Sequence, residues 1–115
     1  MIFELITVAS LVNFYQTENI LVESCVGEPF HIVKFVKPRY PICLRGKTGI
    51  VELRAYVDHF GMYNEVKVIN ATPKRLFDKE ARRAVKRWRF NTSKQTERCF
   101  NITIKFLIGK MEVMP

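Results

Sequence analysis

The side chains that most often perform chemistry in proteins are few and scattered in this sequence. The two histidines, His31 and His59, are far apart, and neither Asp58 nor Glu80 has a partner at a spacing that indicates acid–base catalysis. The chain also has no glycine-rich phosphate loop, no His-Glu-x-x-His motif and no Gly-x-Ser-x-Gly motif. We therefore expect a protein that is not an enzyme and that uses no cofactor.

The three cysteines, Cys25, Cys43 and Cys99, are the other candidates for chemistry. No two of them have the Cys-x-x-Cys spacing, and only the two histidines could join them, so we predict no metal site. An odd number of cysteines argues against a fully paired disulfide framework. We expect Cys43 and Cys99 to be small, buried apolar side chains.

The charge of the chain is divided unevenly along its length. The protein has 115 residues, 48% of them hydrophobic, and a net charge of +8, which together predict one globular domain. The first 33 residues contain four glutamates and no Lys or Arg, so all 19 basic residues follow them. This asymmetry indicates either an acidic or anionic partner for the second part or a solubilising surface.

Residues 1–33 show no sustained apolar period, so we predict an arm that is irregular or partly extended, with a short helix or strand. An uncharged run covers residues 5–17, but it is too short and too polar to span a bilayer. It also lacks the basic residues that begin a secretory signal. We expect either that no export signal is present or that the sequence starts downstream of one.

From residue 34 onward the patterns become regular. Apolar side chains alternate over residues 50–58, about 65–70 and 100–108, which predicts three half-buried strands. Asp58 to Gly61 predicts the turn of a hairpin between the first two strands, and Gly109 is expected to end the third.

A helix is predicted between the second and third strands. Thr72 is a suitable cap, Pro73 is tolerated in a first turn, and the helix extends to Trp88. One apolar stripe follows its face: Phe77, Ala81, Ala84, Val85 and Trp88. The fold class is therefore α+β, with a three-stranded antiparallel sheet of order 2-1-3, one long helix on one face and the connectivity ββαβ. The second and third strands are predicted to be edges, which can accept another strand.

The basic face of this helix allows a second interpretation. Its exposed cations could bind phosphates of nucleic acid or another anionic surface, but no base-stacking aromatic pair accompanies them. We favour a solvated helix face and do not expect nucleic acid as the partner. The residues concerned are Lys79, Arg82, Arg83, Lys86 and Arg87.

Four motifs stand in the order and at nearly the spacing of a known family. They are Pro38-Arg39-Tyr40-Pro41, Gly49-Ile50-Val51, the Val-Asp-x-x-Gly of residues 57–61, and residues 81–90, which end in Trp-Arg-Phe. With these motifs the chain resembles the TonB C-terminal domain family from about residue 36 to its end. The resemblance divides the chain into the arm, residues 1–33, and a TonB C-terminal-like domain, residues 34–115.

The resemblance implies a non-catalytic, peptide-binding domain of an energy transducer, in the periplasm or at the periplasmic face of the inner membrane. Such domains bind the TonB box, an N-terminal segment of outer-membrane receptors that import siderophores and other nutrients, as an added strand beside their last strand. A homodimer through the last strand is also implied. The partner-binding residues that the resemblance implies are Lys37, Pro38, Arg39, Tyr40, Arg98, Phe100, Asn101, Ile102, Thr103, Ile104 and Lys105.

The sequence departs from the family pattern in three respects. No membrane anchor or Pro-rich spacer is visible, so coupling to an inner-membrane proton-channel motor would need a missing anchor. This leaves an anchorless fragment or relic of a longer TonB as a further interpretation. The interval from Tyr40 to Gly49 is two residues shorter than usual, and Lys37 replaces a polar amide residue, which affects specificity for the box.

Overall fold

The computed structural model describes residues 14–17, 19–44 and 46–107. A 3₁₀ turn spans Ile42–Leu44, and the helix α1 spans Asp78–Val85. Among the described residues, no helix is long and apolar enough to cross a lipid bilayer. The strands in chain order are β1 (Phe14–Gln16), β2 (Ile20–Ser24), β3 (Ile32–Lys34), β4 (Gly49–Val57), β5 (Tyr63–Thr72), β6 (Arg89–Phe90) and β7 (Arg98–Phe106).

The main sheet has five strands rather than the three predicted, and this corrects the fold expected from the sequence. Its order is β1-β2-β7-β4-β5, and every neighbouring pair is antiparallel. The two additional strands, β1 and β2, come from the arm of residues 1–33, for which the sequence predicted an irregular or partly extended chain with a short helix or strand. A second, two-stranded sheet pairs β3 with β6.

The hairpin of β4 and β5 follows from the alternating sequence. Every second residue of β4 is buried, from Gly49 through Val57, while those between them are exposed or half-buried. The predicted turn is present, because the amide of Gly61 donates to the carbonyl of Asp58 at 3.0 Å and Gly61 has a φ of +95°. The hairpin supplies one wall of the core.

The helix is shorter than the sequence patterns predict, at eight residues. Thr72 is the last residue of β5 instead of a helix cap, and residues 73–77 form turns. Arg75 has a φ of +68°, a left-handed conformation that a right-handed helix cannot include. The predicted single long helix is therefore wrong at both ends, since Trp88 also lies beyond Val85.

The predicted apolar stripe is buried despite the shorter helix. Trp88, Phe77 and Ala81 are fully buried, and Ala84 and Val85 are nearly so. The helix packs on β4 and β5, and the rings of Phe77 and Phe106 stack with centroids 4.6 Å apart. The core therefore lies between one face of the sheet and the segment from Phe77 to Trp88.

Candidate functional site

The strand β7, which the sequence predicts to be an edge, lies inside the sheet. One side pairs with β4, where Ile102 faces Leu53, and the other side pairs with β2, where Ile102 faces Val22. The prediction of an open edge at β7 is therefore wrong for this structure. In the described part of the chain, the edge strands of the main sheet are β1 and β5.

The backbone hydrogen-bonding groups of successive β7 residues point alternately to β2 and to β4. At one end the amide of Lys105 donates to the carbonyl of Asn19 at 2.9 Å, and at the other the amide of Cys25 donates to the carbonyl of Cys99 at 3.0 Å. In an antiparallel ladder such bonded pairs recur at every second residue, so Asn101 and Thr103 also present their backbone groups to β2. A partner strand could therefore pair with this side of β7 only in place of β2.

The side chains of β7 divide between the core and the opposite face of the sheet. Phe100, Ile102 and Ile104 are buried on the core side, at 2%, 1% and 0% exposure, where Ile102 and Ile104 lie opposite Val22 and Ile20 of β2. Asn101 points the other way, and its Oδ1 accepts a hydrogen bond from Nε of Arg54 at 2.9 Å. Of the residues predicted on this strand, Lys105 alone has an exposed side chain.

Arg98, at the start of β7, holds two loops together. Its Nη2 donates to the carbonyls of Asp58, at 3.0 Å, and Asn91, at 2.6 Å. The side chain is buried, and burial lowers the pKa of Arg98, while the charges of Asp58 and Glu28 oppose that effect. Arg98 is therefore placed to support the β4–β5 turn rather than to contact a partner.

We expect the stability of this turn to depend on pH through the carboxylate of Asp58. Its Oδ1 accepts the amides of Phe60 at 2.9 Å and Met62 at 3.0 Å. The hydrogen bond from Met62 is the main cause that lowers the pKa of Asp58. Because the folded pKa lies below the unfolded one, the ionised carboxylate stabilises the fold above about pH 4. We expect this contribution to be lost as the pH falls through the lowered pKa.

A carboxyl-carbon NMR titration of Asp58 measures its folded pKa directly. Asp58→Asn keeps the acceptor oxygen but removes the titration, so its unfolding free energy should vary less between pH 5 and 2 than that of the wild type. A pKa at or above the ordinary aspartate value would contradict this expectation.

The other predicted site residues lie in the segment of residues 37–40, which is attached to the domain by two of its side chains. Pro38 is fully buried, and the ring of Tyr40 packs edge-on against Phe77 with centroids 5.7 Å apart. The Tyr40 hydroxyl donates to the carbonyl of Leu44 at 2.6 Å and accepts the amide of Lys47 at 3.0 Å. These contacts hold the segment in place.

The two cations of this segment remain exposed. Lys37 follows Val36, whose carbonyl accepts the indole Nε1 of Trp88 at 2.7 Å, and Arg39 lies between Pro38 and Tyr40. The edge-on contact of Tyr40 with Phe77 and the stack of Phe77 on Phe106 connect the segment to the end of β7. Lys37 and Arg39 are therefore the residues of this group whose side chains are free to meet a partner.

The sequence patterns missed the residues that occupy the β7 edge. Ile20 and Val22 of β2 are buried at 3% and 0% exposure, and their backbone completes the ladder with β7. The sequence signal for this strand is a run of three apolar residues, Ile20 to Val22, and a pattern so short does not distinguish a strand from a loop.

The expected state of the cysteines is also corrected. Cys25 and Cys99 form a disulfide across 74 residues of sequence, with Cα atoms 5.3 Å apart, and Cys43 is a free, exposed cysteine. The prediction that Cys43 and Cys99 are buried small apolar residues is therefore wrong. The disulfide joins the end of β2 to the start of β7, so it belongs to the same region as the covered edge.

The comparisons with known proteins agree with the motifs. A family model described as "Gram-negative bacterial TonB protein C-terminal" matches residues 36–108. The chain is also similar to "Protein TonB" of Yersinia enterocolitica, with 29% identity over 75 residues. That alignment covers 64% of this chain and 29% of the relative, so the chain spans less than a third of that protein's length.

Proposed function

Since this chain belongs to the family of TonB C-terminal domains, we propose that it is the peptide-binding domain of an energy transducer for transport across the outer membrane. Its partner would be the N-terminal TonB-box segment of outer-membrane receptors for siderophores or other nutrients. The domain would act in the periplasm, without catalysis of its own. A link to an inner-membrane proton-channel motor would require an anchor supplied outside the described residues.

The observation that carries this proposal is that β7 already accepts a strand from a separate part of the chain. β2 pairs with it over five residues from Ile20 to Ser24, although 75 residues or more separate the paired positions. Addition of a strand is one of the standard ways in which proteins bind extended peptides, because the backbone supplies affinity and alternate side chains supply specificity. A receptor segment in the same register would use the same side of β7.

The proposed contacts differ in kind along the site. On β7, the carbonyl and amide groups of residues 99, 101, 103 and 105 would pair with the peptide in place of β2. Lys37, Arg39 and Lys105 have exposed side chains and could attract acidic residues in the peptide. Ile102 and Ile104 would lie opposite apolar side chains of the peptide, as they now lie opposite Val22 and Ile20. Pro38, Tyr40, Arg98 and Phe100 would act by holding the backbone in position.

A homodimer through β7 would compete for the same site. Two copies could pair their β7 strands only after both had released β2, since the other side of β7 is occupied by β4. We therefore place the receptor segment, the second copy and β2 in competition for one set of backbone groups.

Titration of the labelled protein with synthetic receptor N-terminal peptides tests the proposed function. We expect amide shifts concentrated in residues 98–107 and in β2, because binding would exchange one strand for another. Two control peptides are N-methylated at alternate residues, one at the odd positions and the other at the even positions. Only one of these two patterns blocks the amides that would face β7. Shifts that avoid residues 98–107, or equal binding of both N-methylated peptides, would contradict the proposed mode.

A further inference from the structure

The hairpin of β1 and β2 occupies the β7 edge in the manner of a bound peptide. The ladder runs from Asn19, whose carbonyl accepts the amide of Lys105, to Cys25, whose amide donates to Cys99. Ile20 and Val22 insert their side chains into the core opposite Ile104 and Ile102. The hairpin thus supplies both features of an added strand, a continuous ladder and side chains placed at alternate positions.

The hairpin of β1 and β2 has hydrogen bonds of its own. The hydroxyl oxygen of Thr17 accepts the amides of Asn19 and Ile20, at 3.2 and 3.0 Å, and β1 pairs with β2 on the side away from β7. The hairpin also contacts the rest of the domain through Tyr15, whose ring centroid lies 5.8 Å from that of Phe35. Because its internal hydrogen bonds do not depend on β7, the hairpin could separate from β7 as a unit.

The disulfide prevents that separation at one end. Cys25 and Cys99 are directly opposite each other in the continued ladder, one residue beyond Ser24 and Phe100. While the bond is intact, the end of β2 stays within a few ångströms of β7, so any competing strand meets a very high local concentration of β2. Both cysteines are only partly buried, which leaves the bond accessible to a reductant.

We propose that the β1–β2 hairpin is an internal ligand of the β7 edge and that the Cys25–Cys99 disulfide controls its release. This inference rests on the proposed function, since it concerns access to the same site. In the oxidised chain the edge is closed. In the reduced chain the hairpin exchanges with an external strand.

Reduction requires a dithiol as co-reactant. One of its thiolates attacks a sulfur of the Cys25–Cys99 bond, and that bond breaks as a mixed disulfide forms. The second thiolate of the dithiol then displaces the protein sulfur, so that Cys25 and Cys99 end as thiols and the dithiol ends as a disulfide. Two electrons and two protons pass from the dithiol to the protein.

The hairpin also defines the chemistry of the strand that would replace it. Ile20 and Val22 occupy positions that do not exchange backbone hydrogen bonds with β7, where facing side chains are closest. A competing segment therefore needs two apolar, preferably β-branched residues two positions apart. Polar residues are tolerated at the adjacent positions, because Leu21 and Glu23 lie toward the face of the sheet opposite the core.

A peptide that copies residues 17–24, Thr-Glu-Asn-Ile-Leu-Val-Glu-Ser, provides a probe that does not depend on knowing the receptor. Its affinity would be measured by calorimetry for the Cys43→Ser protein, which removes the exposed thiol, in the oxidised state and after reduction with dithiothreitol. We expect at least about tenfold tighter binding to the reduced protein and to Cys25→Ser/Cys43→Ser, since loss of the cross-link frees the competing strand. The same peptide with Asp at both apolar positions, 20 and 22, should not bind in either state.

Amide hydrogen exchange separates release of the hairpin from unfolding, should the Cys25→Ser variant be unstable. On reduction, the amides of Asn101 and Thr103, which face β2, should exchange faster. Those of Ile102 and Ile104, which face β4 on the same strand, should keep their protection. Equal acceleration of both sets, or none in either, would overturn the proposal.

The outcomes for the two proposals are distinct. Equal affinity of the copied peptide for the oxidised and reduced proteins would overturn control by the disulfide, whatever the receptor peptides do. Redox-dependent binding of the copied peptide, without binding of any receptor peptide, would support control of the edge and overturn the receptor function.

Discussion

Trp88→Ala is expected to lower the free energy of unfolding by roughly 3–5 kcal/mol, the usual range for truncation of a buried aromatic side chain. Trp88 is fully buried, and its ring lies 5.1 Å from Phe35 and 6.5 Å from Phe90 between centroids. The substitution would remove these contacts and the hydrogen bond to Val36 together. Because domains of this size have only about 5–15 kcal/mol in total, we expect a largely unfolded or molten protein.

Thermal unfolding followed by near-ultraviolet circular dichroism measures this effect. Trp88→Phe is the matched control. It keeps an aromatic ring but loses the indole donor to Val36 and part of the side-chain volume. Its loss of stability should therefore be intermediate. A cooperative transition of Trp88→Ala within a few degrees of the wild type would show that this side chain does not support the core.

The effect should extend to the candidate site. The carbonyl of Val36 immediately precedes Lys37, so the indole fixes the start of the segment that carries Lys37 and Arg39. In a Trp88→Phe protein that remains folded, we expect the amide signals of residues 36–40 to broaden or shift more than those of β7.

Gly61→Ala is expected to be the second most damaging substitution, with a loss of at least about 3 kcal/mol. Gly61 is buried with a φ of +95°, where an L side chain is strained. A Cβ built there would also overlap the carbonyl oxygen of Phe90 and lie 2.9 Å from its carbon. Since the amide of Phe90 donates to the carbonyl of Gly61 at 2.9 Å, the two backbones cannot separate without breaking that bond.

Gly46→Ala is the matched control for the conformational part of this cost. Gly46 has a similar φ of +84°, but a Cβ there would meet no atom within 4 Å. It should therefore lose only about 1–2 kcal/mol, the cost of a left-handed conformation for an L residue. Denaturant unfolding of both variants gives the comparison, and equal losses would show that contact with Phe90 does not matter.

The sequence by itself determined the part of the fold that depends on local pattern. The alternation in residues 51–57 fixed which face of β4 is buried, and Asp58 to Gly61 identified the turn, because its backbone conformation favours glycine. The four motifs identified the family, which the match to residues 36–108 confirms. The start of the helix could not be predicted from local pattern, because Thr72 and Pro73 suit a helix start but the chain turns through Arg75 instead.

Only the tertiary structure decided what lies beside β7. The sequence placed the proposed site on this strand, but whether its backbone is open depends on which distant segment pairs with it, and a five-residue strand has too few side chains to record that choice in its own pattern. Ile20 and Val22 are informative only once they stand opposite Ile104 and Ile102. In the same way, Cys25 and Cys99 are 74 residues apart, and their bond exists because the β2–β7 ladder brings their Cα atoms within 5.3 Å, a proximity that no spacing in the sequence specifies.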